Sequence, residues 1–243
     1  PFVLRKELKG VDILKTNQIW GSWNALISKF LYKKPLVIRC GFEHYYNTLK
    51  IKQRTIKHKL RKILIWIVSL LSYRYSDKII LTSFLAKKFV EKKFKIESEK
   101  IVVSYNYINH KIFKPIPNIK IFRNRVLYIG RLNKAKNLFT LLDAISKTNF
   151  HLDIVGDGEL KDDLLDYIYK NNINARFLGS FSNSKIPEII NRYPIFLLVS
   201  KYEGNPKSLL EAMSCQSAVI CSKIDPIMEI VIDQKNGLIA LND

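Results

Sequence analysis

Short apolar runs alternate regularly with longer segments of helical character, most clearly in the second half of the chain. Apolar runs such as IFLLVS are typical of strands in a parallel sheet that is covered on both faces. The predicted strands of this half are 126–130, 152–155, 175–178, 195–199, 218–221 and 238–240. The predicted helices between them are 137–148, 160–170, 185–192, 206–215 and 226–231. This alternation predicts a doubly wound α/β domain.

The first half repeats the pattern less regularly. Its predicted strands are 11–14, 35–40, 78–82 and 100–104, and its predicted helices are 20–31, 55–75 and 83–94. The proline-bearing stretch 109–118 favours a linker over a helix, because each proline disfavours the α region for the residue before it. We therefore predict two α/β domains, 1–108 and 122–243, joined by a linker at 109–121.

Composition excludes some classes and leaves others open. A chain of 243 residues that is 47% hydrophobic is globular, not disordered or fibrous. The net charge of +20 predicts an anionic partner, namely nucleic acid, a membrane surface or a phosphorylated substrate, although a lysine-rich codon bias explains it equally well. The three cysteines and four histidines have no spacing typical of a disulfide framework or a metal site, which predicts reduced thiols in a cytosolic protein.

Ligands of doubly wound sheets bind beyond the carboxyl ends of the strands, so the loops there are the places to search for a site. The loop GRLNKAKN begins at Gly130, after the first strand of the second half. Its Arg131 and Lys136 are suited to holding a diphosphate, since arginine binds phosphate oxygens bidentately and lysine adds a compact charge. Two ordinary surface cations explain the same residues. The turn GDGEL at 156–160 is weaker evidence, because most such turns are structural.

The stretch YEGNPKSLLEA, residues 202–212, predicts the start of a helix, with Asn205 as the N-cap and Pro206 in the first helical position. Backbone amides at such a helix start lack intrahelical acceptors and favour a phosphate. The amides concerned are those of Lys207, Ser208 and Leu209.

Two carboxylates flank this predicted phosphate site. Glu203 lies on the loop before the helix, and Glu211 lies within the helix. The pair is placed to contact different parts of one extended ligand. The alternative is that Glu203 only stabilises the helix dipole and that Glu211 is solvated.

In order along the chain, these segments resemble the retaining nucleotide-sugar glycosyltransferases of family 4, which have the GT-B fold. The matching runs are YIGRLNKAKNLFTLLDAI, LDIVGDGEL, FLGSFSNSKIPEIINRYPIFLLVSKYEGNPKSLLEAMSC and MEIVIDQKNGLIA. The most specific marker is the E-x7-E pattern formed by Glu203 and Glu211. The resemblance implies two Rossmann-like doubly wound parallel-sheet domains, of which the N-terminal one is incomplete and the C-terminal one lacks its last helices.

The resemblance also implies roles for individual residues. Arg131 and Lys136 would neutralise the donor diphosphate, Glu211 would accept hydrogen bonds from the ribose hydroxyls, and Glu203 would lie beside the transferred sugar. The catalytic set is thus Glu203, Arg131 and Lys136. The other donor-binding residues implied by the resemblance, besides Glu211, are Gly130, Ser180, Phe181, Gly204, Asn205, Lys207, Ser208 and Leu209.

Three positions depart from the family pattern. Asn137 replaces a glycine that commonly follows Lys136. Asp225 and Pro226 stand where a glycine pair is frequent, so we expect a different loop facing the sugar. Cys40 stands where many relatives have a histidine, which leaves an acceptor-side contact in doubt.

The function implied is metal-independent transfer of a sugar, without a cofactor, from a nucleotide diphosphate sugar to a glycan or polyprenyl-linked acceptor in capsule, O-antigen or exopolysaccharide synthesis. The expected location is the cytoplasm or the inner face of the plasma membrane. Residues 50–71, a basic run followed by ILIWIVSLL, suit an anionic membrane surface, and a core helix with a solvated lysine face is the alternative. Rival functions are a polyanion-binding module, an inactive nucleotide-binding fragment and a sugar-nucleotide epimerase. No specific nucleic acid partner is expected.

Overall fold

The computed structural model describes residues 3, 5–41, 43–49 and 55–241, without the side chain of residue 47. The chain divides into two compact units, Pro1–Asn106 and Tyr107–Asp243. Predictions for residues 50–54 lie outside the described residues. Within the described part, no helix combines the length and the apolar character needed to cross a membrane.

The first unit is a four-stranded parallel sheet in which strand order follows chain order. Its strands are β1 (Leu14–Thr16), β2 (Leu36–Cys40), β3 (Lys78–Leu81) and β4 (Ile101–Val103). Its helices are α1 (Arg5–Gly10), α2 (Ser22–Tyr32), α3 (His44–Leu49), α4 (Ile56–Tyr75) and α5 (Phe84–Phe94). The side chains of Thr55 and Ser83 cap α4 and α5 by accepting hydrogen bonds from the amides of His58 and Ala86.

The prediction of a strand at 11–14 was wrong by about three residues. The strand is Leu14–Thr16, and Leu14 pairs with Leu36 and is buried in the core of this unit. The amide of Leu14 donates to the carbonyl of Pro35, which fixes the register at that residue. The hydrophobicity of Val11 predicted a strand from that residue, but pairing with β2 begins only at Leu14.

The second unit is a six-stranded parallel sheet in the order β10-β9-β8-β5-β6-β7. Its strands are β5 (Arg125–Ile129), β6 (His151–Val155), β7 (Ala175–Gly179), β8 (Ile195–Leu198), β9 (Ala218–Ser222) and β10 (Leu238–Ala240). Its helices are α6 (Leu138–Ser146), α7 (Lys161–Lys170), α8 (Ile186–Asn191), α9 (Lys207–Ser214) and α10 (Asp225–Met228).

Both faces of this second sheet are buried. Val126 and Tyr128 of β5 belong to one hydrophobic core, whereas Leu127 of the same strand belongs to another. Alternate residues of one strand therefore enter separate cores, as expected when helices cover both faces. The predicted fold class, an α/β protein with two parallel-sheet domains, is confirmed.

The stretch predicted as a linker packs on the second unit. Phe113 is buried in one of its cores, and the hydroxyl of Ser214 donates to the Phe113 carbonyl (2.5 Å). The side chain of Asn191 bonds both to the Lys114 carbonyl and to the Ile116 amide, at 3.0 and 2.8 Å. Side-chain hydrogen bonds thus hold this segment, which contains turns and no strand among the described residues.

Candidate active site

The strand order of the second sheet places a crevice between β5 and β8. From β5 the chain proceeds outward to β6 and β7, and β8 then returns to the other side of β5. Loops leaving β5 and β8 therefore run in opposite directions, and ligands of such sheets bind at this switch point. The described residues form an open cleft of about 320 Å³ there, which includes five predicted site residues, Gly130, Arg131, Ser180, Phe181 and Glu211.

A close approach of two glycines shapes the floor of the cleft. Gly156 has a φ of +141°, and a Cβ placed on it would lie 1.9 Å from the carbonyl oxygen of Gly130. The amide of Gly156 donates to the Gly179 carbonyl at 2.9 Å. Only glycine fits at this position, since both the conformation and the contact exclude a side chain. Sequence reasoning treated this turn as weak evidence, although it lines the cleft together with Asp157.

A second cluster joins the two loops at the switch point. The Nζ of Lys136 forms an ion pair with Oε1 of Glu203, and the buried Ser200 hydroxyl donates to the same oxygen at 2.6 Å. The amide of Lys201 donates to the Ala135 carbonyl at 2.8 Å, which ties the loop after β8 to the loop after β5. The side chains of Lys136 and Glu203 are only 19% and 10% exposed. The ion pair is thus largely shielded from solvent.

Neither Lys136 nor Glu203 belongs to the residues that line the 320 Å³ cleft. Sequence reasoning placed both at the site but assigned them to different ligand groups, so their direct pairing was not foreseen. Ser200 was missed as well. Its only sequence signal is its position directly after the apolar β8 run, where functional loops begin.

The charge of Glu203 acts on two buried neighbours. Burial, and to a smaller extent Glu203, raises the pKa of the Cys221 thiol to about 12. The same two causes raise the pKa of the Tyr128 hydroxyl, which donates to the Arg131 carbonyl at 3.3 Å. Both groups are therefore neutral at physiological pH. All three cysteines are buried, and no disulfide joins them to one another.

The helix start differs by one residue from the prediction. α9 begins at Lys207, and its N-cap is Pro206 in an extended conformation (φ −72°, ψ 116°), not Asn205. The amide of Leu210 is the first to bond back, to the Pro206 carbonyl at 3.4 Å. The proline ring fixes only φ. Because ψ of Pro206 is extended, the helix begins after this residue rather than at it. Asn205 itself is buried.

The predicted row of amides is retained after this shift. No described residue accepts a hydrogen bond from the amides of Lys207, Ser208 or Leu209. The side chain of Leu209 is buried in the core, so this residue offers a ligand only its backbone. These three amides carry the positive end of the helix dipole at the end of the β8 loop.

Glu211 lies on α9 and borders the cleft. Burial raises the pKa of this carboxyl above its usual value, and the charge of Lys207 opposes that shift only in part. The structure therefore keeps the two glutamates in separate surroundings, Glu203 with a cation and Glu211 beside the open cleft.

The first unit holds a buried carboxyl that sequence reasoning also missed. Glu43 follows β2, and burial raises its pKa to about 7. Its Oε1 accepts a hydrogen bond from the Tyr73 hydroxyl at 3.2 Å, and its Oε2 accepts one from the amide of Tyr46 in the first turn of α3. The second contact makes it a cap of that helix.

Comparison with known proteins places this geometry in a family. Residues 109–242 match the family described as glycosyl transferases group 1. The chain is 30% identical, over 65% of its length, to a Campylobacter jejuni enzyme named as an N-acetylgalactosaminyltransferase acting on a diphospho-undecaprenol glycan. It is 29% identical, over 99% of its length, to an Escherichia coli enzyme named UDP-Gal:alpha-D-GlcNAc-diphosphoundecaprenol alpha-1,3-galactosyltransferase.

The fold also matches a solved structure. HepE of Anabaena, crystallised with UDP-glucose, superposes with a TM-score of 0.81 at 19% identity, covering 99% of this chain and 67% of that one. The chain spans 44% of the Campylobacter relative and 65% of the Escherichia relative, so less than two thirds of each. The family match covers more than half of the chain, including every predicted donor-site residue, and the chain therefore belongs to the group 1 glycosyl transferases.

Proposed function

We propose that the second unit is the donor site of a retaining, metal-independent glycosyltransferase that uses a nucleotide diphosphate sugar. The observation that carries the proposal is the cleft at the switch point, where Arg131 and Glu211 line one space. Glu211 belongs to α9, the helix whose first amides have no acceptor among the described residues. A cation, a carboxylate and a helix start are the groups that a nucleoside diphosphate requires.

The donor lies in this site with its base near Ser180 and Phe181 and its ribose hydroxyls donating to Glu211. The diphosphate meets Arg131, Lys136 and the amides that follow Gly204, chiefly those of Lys207 and Ser208. Lys136 thus lies between the diphosphate and Glu203, and Glu203 contacts the transferred sugar. A family likeness supports this arrangement, and the separate surroundings of the two glutamates agree with it.

Positive charge at the site is what lowers the barrier. Breaking the bond between sugar and phosphate leaves negative charge on the departing diphosphate and cationic character at the anomeric carbon. The negative charge on the diphosphate is stabilised by Arg131, Lys136 and the helix dipole of α9. The cationic character at the anomeric carbon is stabilised by the Glu203 carboxylate. In other transferases a divalent cation stabilises the charge of the departing diphosphate. Here the cations and the helix dipole stabilise it, which is the basis for proposing metal independence.

The acceptor is a glycan or a polyprenyl-linked sugar in the synthesis of a cell-surface polysaccharide. Relatives are named for diphospho-undecaprenol substrates and for O-antigen synthesis, which supports this class of acceptor. Such lipids place the reaction at the cytoplasmic face of a membrane.

Replacing Glu203 by glutamine tests the assignment of the reaction. We expect release of nucleoside diphosphate from a panel of UDP- and GDP-sugars to fall on the order of 100-fold, the usual effect of losing one electrostatic contact to a transition state. Affinity for the nucleoside diphosphate should stay within about threefold, because glutamine still bonds to Ser200. Turnover is measured by coupled assay and affinity by calorimetry.

Glu188→Gln is the matched control, since that carboxylate is on the surface and pairs with Arg192 in the next turn. We expect it to change neither quantity. An unchanged turnover in Glu203→Gln, or no nucleoside diphosphate release from any donor, contradicts the proposed function. A polyanion-binding module, the rival suggested by the net charge, is indifferent to Glu203 and binds arbitrary nucleic acid with strong salt dependence.

A further inference from the structure

The solvent-exposed side of α4 carries a stripe of apolar side chains. Five side chains recur at helical spacing and are 40–76% exposed, namely Ile56, Leu60, Ile63, Ile67 and Leu71. The side of the helix that faces the core instead buries Ile65, Ser69, Ser72 and Tyr73. A helix on the surface of a soluble domain normally has the opposite polarity, with charged residues facing water.

The neighbouring helix α2 and the residues just before it share this property. Trp20, Trp23, Ile27, Phe30 and Leu31 recur at the same spacing and are 40–59% exposed.

The two helices pack side by side. The hydroxyls of Ser22 and Ser72 lie 2.5 Å apart, and the rings of Phe30 and Tyr75 meet edge to face at 5.6 Å. Trp20, Trp23, Leu64 and Val68 enclose a shallow groove of about 170 Å³ between the helices. These ten exposed side chains, together with the groove, form one continuous apolar area, here called the α2/α4 surface. Exposed apolar areas of this kind mark a binding surface.

Cations accompany the apolar residues. Lys57, Lys59, Arg61 and Lys62 occupy the first two turns of α4, and Arg74 lies near its end. The sequences of α2 and α4 contain no aspartate or glutamate. Two copies of this surface would bring like charges together, so the charge favours an anionic partner over a second copy of the chain.

We propose that the α2/α4 surface docks on an anionic lipid bilayer. The apolar side chains enter the boundary between headgroups and acyl chains, and the lysines and arginines of α4 contact lipid phosphates. The indole rings of Trp20 and Trp23 suit this depth, since each has an apolar body and one polar N–H group. The proposal deepens the proposed function, because a polyprenyl-linked acceptor lies in such a membrane. It rests on different residues, however, and stands or falls separately.

The structure adds detail to the prediction for residues 50–71. Residues 55–71 are described, whereas 50–54 lie outside the described residues. The alternative of a core helix with a solvated lysine face stays a prediction, because α4 buries Ile65 and Tyr73 in the core and exposes Lys57 and Lys59 beside its apolar residues. The contribution of α2 was not foreseen, since Trp23 of this helix and Trp20 just before it are distant from the basic run in sequence.

Tryptophan fluorescence provides a direct readout. All three tryptophans of the chain, Trp20, Trp23 and Trp66, lie on or beside the α2/α4 surface. We expect vesicles of phosphatidylcholine with 30% phosphatidylglycerol to shift the emission to the blue and to carry the protein upward in flotation. Pure phosphatidylcholine should bind it at least tenfold more weakly, and added salt should weaken binding to the mixed vesicles.

Two variants separate the apolar and the charged contributions. Leu60→Ser with Ile67→Ser should abolish partitioning, and Lys57→Gln with Lys59→Gln should weaken it on the order of tenfold or more. All four residues are exposed, so both variants should fold. Leu165→Ser with Tyr169→Ser is the matched control, since it removes two exposed apolar side chains from α7 in the second unit and should leave binding unchanged.

Equal binding by the control and the Leu60/Ile67 variant, or no binding to either vesicle, overturns the proposal. Sedimentation that shows a dimer lost in the Leu60/Ile67 variant also overturns it, in favour of a self-interface. Nucleoside diphosphate affinity is measured on the same variants. Retained affinity with lost vesicle binding confines the defect to this surface, whereas the reverse result bears on the proposed function alone.

Discussion

The two ends of the six-stranded sheet each hold an enclosed carboxylate, but the two carboxylates have different surroundings. Toward the amino ends of the strands, Asp153 of β6 is fully buried. It pairs with Nη1 of Arg125 (2.9 Å) and Nε of Arg176 (2.6 Å) and accepts a hydrogen bond from the hydroxyl of Tyr193 (2.6 Å). Beyond the carboxyl ends, Glu203 pairs with Lys136 in the loops at the switch point.

The two surroundings differ in whether hydrogen-bonding groups remain for a ligand. Burial alone would raise the pKa of Asp153, but hydrogen bonds from Arg176, Tyr193 and Arg125 outweigh burial and lower it, so its charge is fully matched within the protein. At the other end, Arg131 is exposed, and the first amides of α9 have no acceptor among the described residues. A buried ion pair therefore does not by itself indicate a site. A site is indicated when groups without a bonding partner among the described residues lie next to the ion pair.

The largest expected effect comes from Asp153→Ala at the amino ends. We expect a loss of about 3–5 kcal/mol in the free energy of unfolding, because several donors and two arginines lose their shared partner. Urea denaturation measures it, with Asp166→Ala as control, since that carboxylate is exposed. Because folding lowers the pKa of Asp153, its contribution is complete above the usual value of 3.8 and is lost as the pH falls below it. Acid unfolding of the variant should therefore be shallower than that of the wild type.

A smaller effect is expected from Gly156→Ala at the carboxyl ends. The new Cβ meets the Gly130 carbonyl and forces a residue other than glycine to a φ of +141°, which should cost about 2–3 kcal/mol in unfolding free energy. It should also weaken nucleoside diphosphate binding, because the floor of the cleft must move. Gly179→Ala is the control, since its φ of +79° is also strained but nothing lies within 4 Å of the added carbon. Equal losses of affinity in the two variants would contradict a role for the glycine contact.

Most strands of the second sheet could be predicted from the sequence, because they are buried on both faces and therefore consist of apolar runs. The predicted strand at 238–240 is observed as Leu238–Ala240, and the predicted helix at 160–170 is observed as Lys161–Lys170. Prediction was less successful where local signals and tertiary contacts disagree. β1 is fixed by pairing with Leu36 rather than by the hydrophobicity of Val11, and α9 begins after Pro206 because the backbone of the proline is extended.

The candidate site shows the same division. Arg131 and Glu211 were predicted from motifs in separate loops, and strand order brings them to one cleft. The contact of Ser200 with Glu203 and the approach of Gly156 to Gly130 depend on distances across the sheet, which no local pattern encodes. The exposure of the apolar stripe on α4 was not predicted for a related reason, since sequence periodicity shows a stripe but not which side of the helix faces the core.

Calorimetric titration of UDP, GDP and ADP into the wild type, Glu211→Ala and Asp153→Asn tests the central claim most directly. We expect at least one nucleotide to bind. Glu211→Ala should weaken its affinity about 10- to 100-fold through lost hydrogen bonds to a charged acceptor, and Asp153→Asn should change the affinity less than about twofold while folded. Because burial raises the pKa of Glu211, wild-type affinity should also decline on acidification before an ordinary carboxyl would titrate. Binding of none of the three nucleotides, or equal affinity in wild type and Glu211→Ala, would contradict a donor site at the carboxyl ends of the sheet.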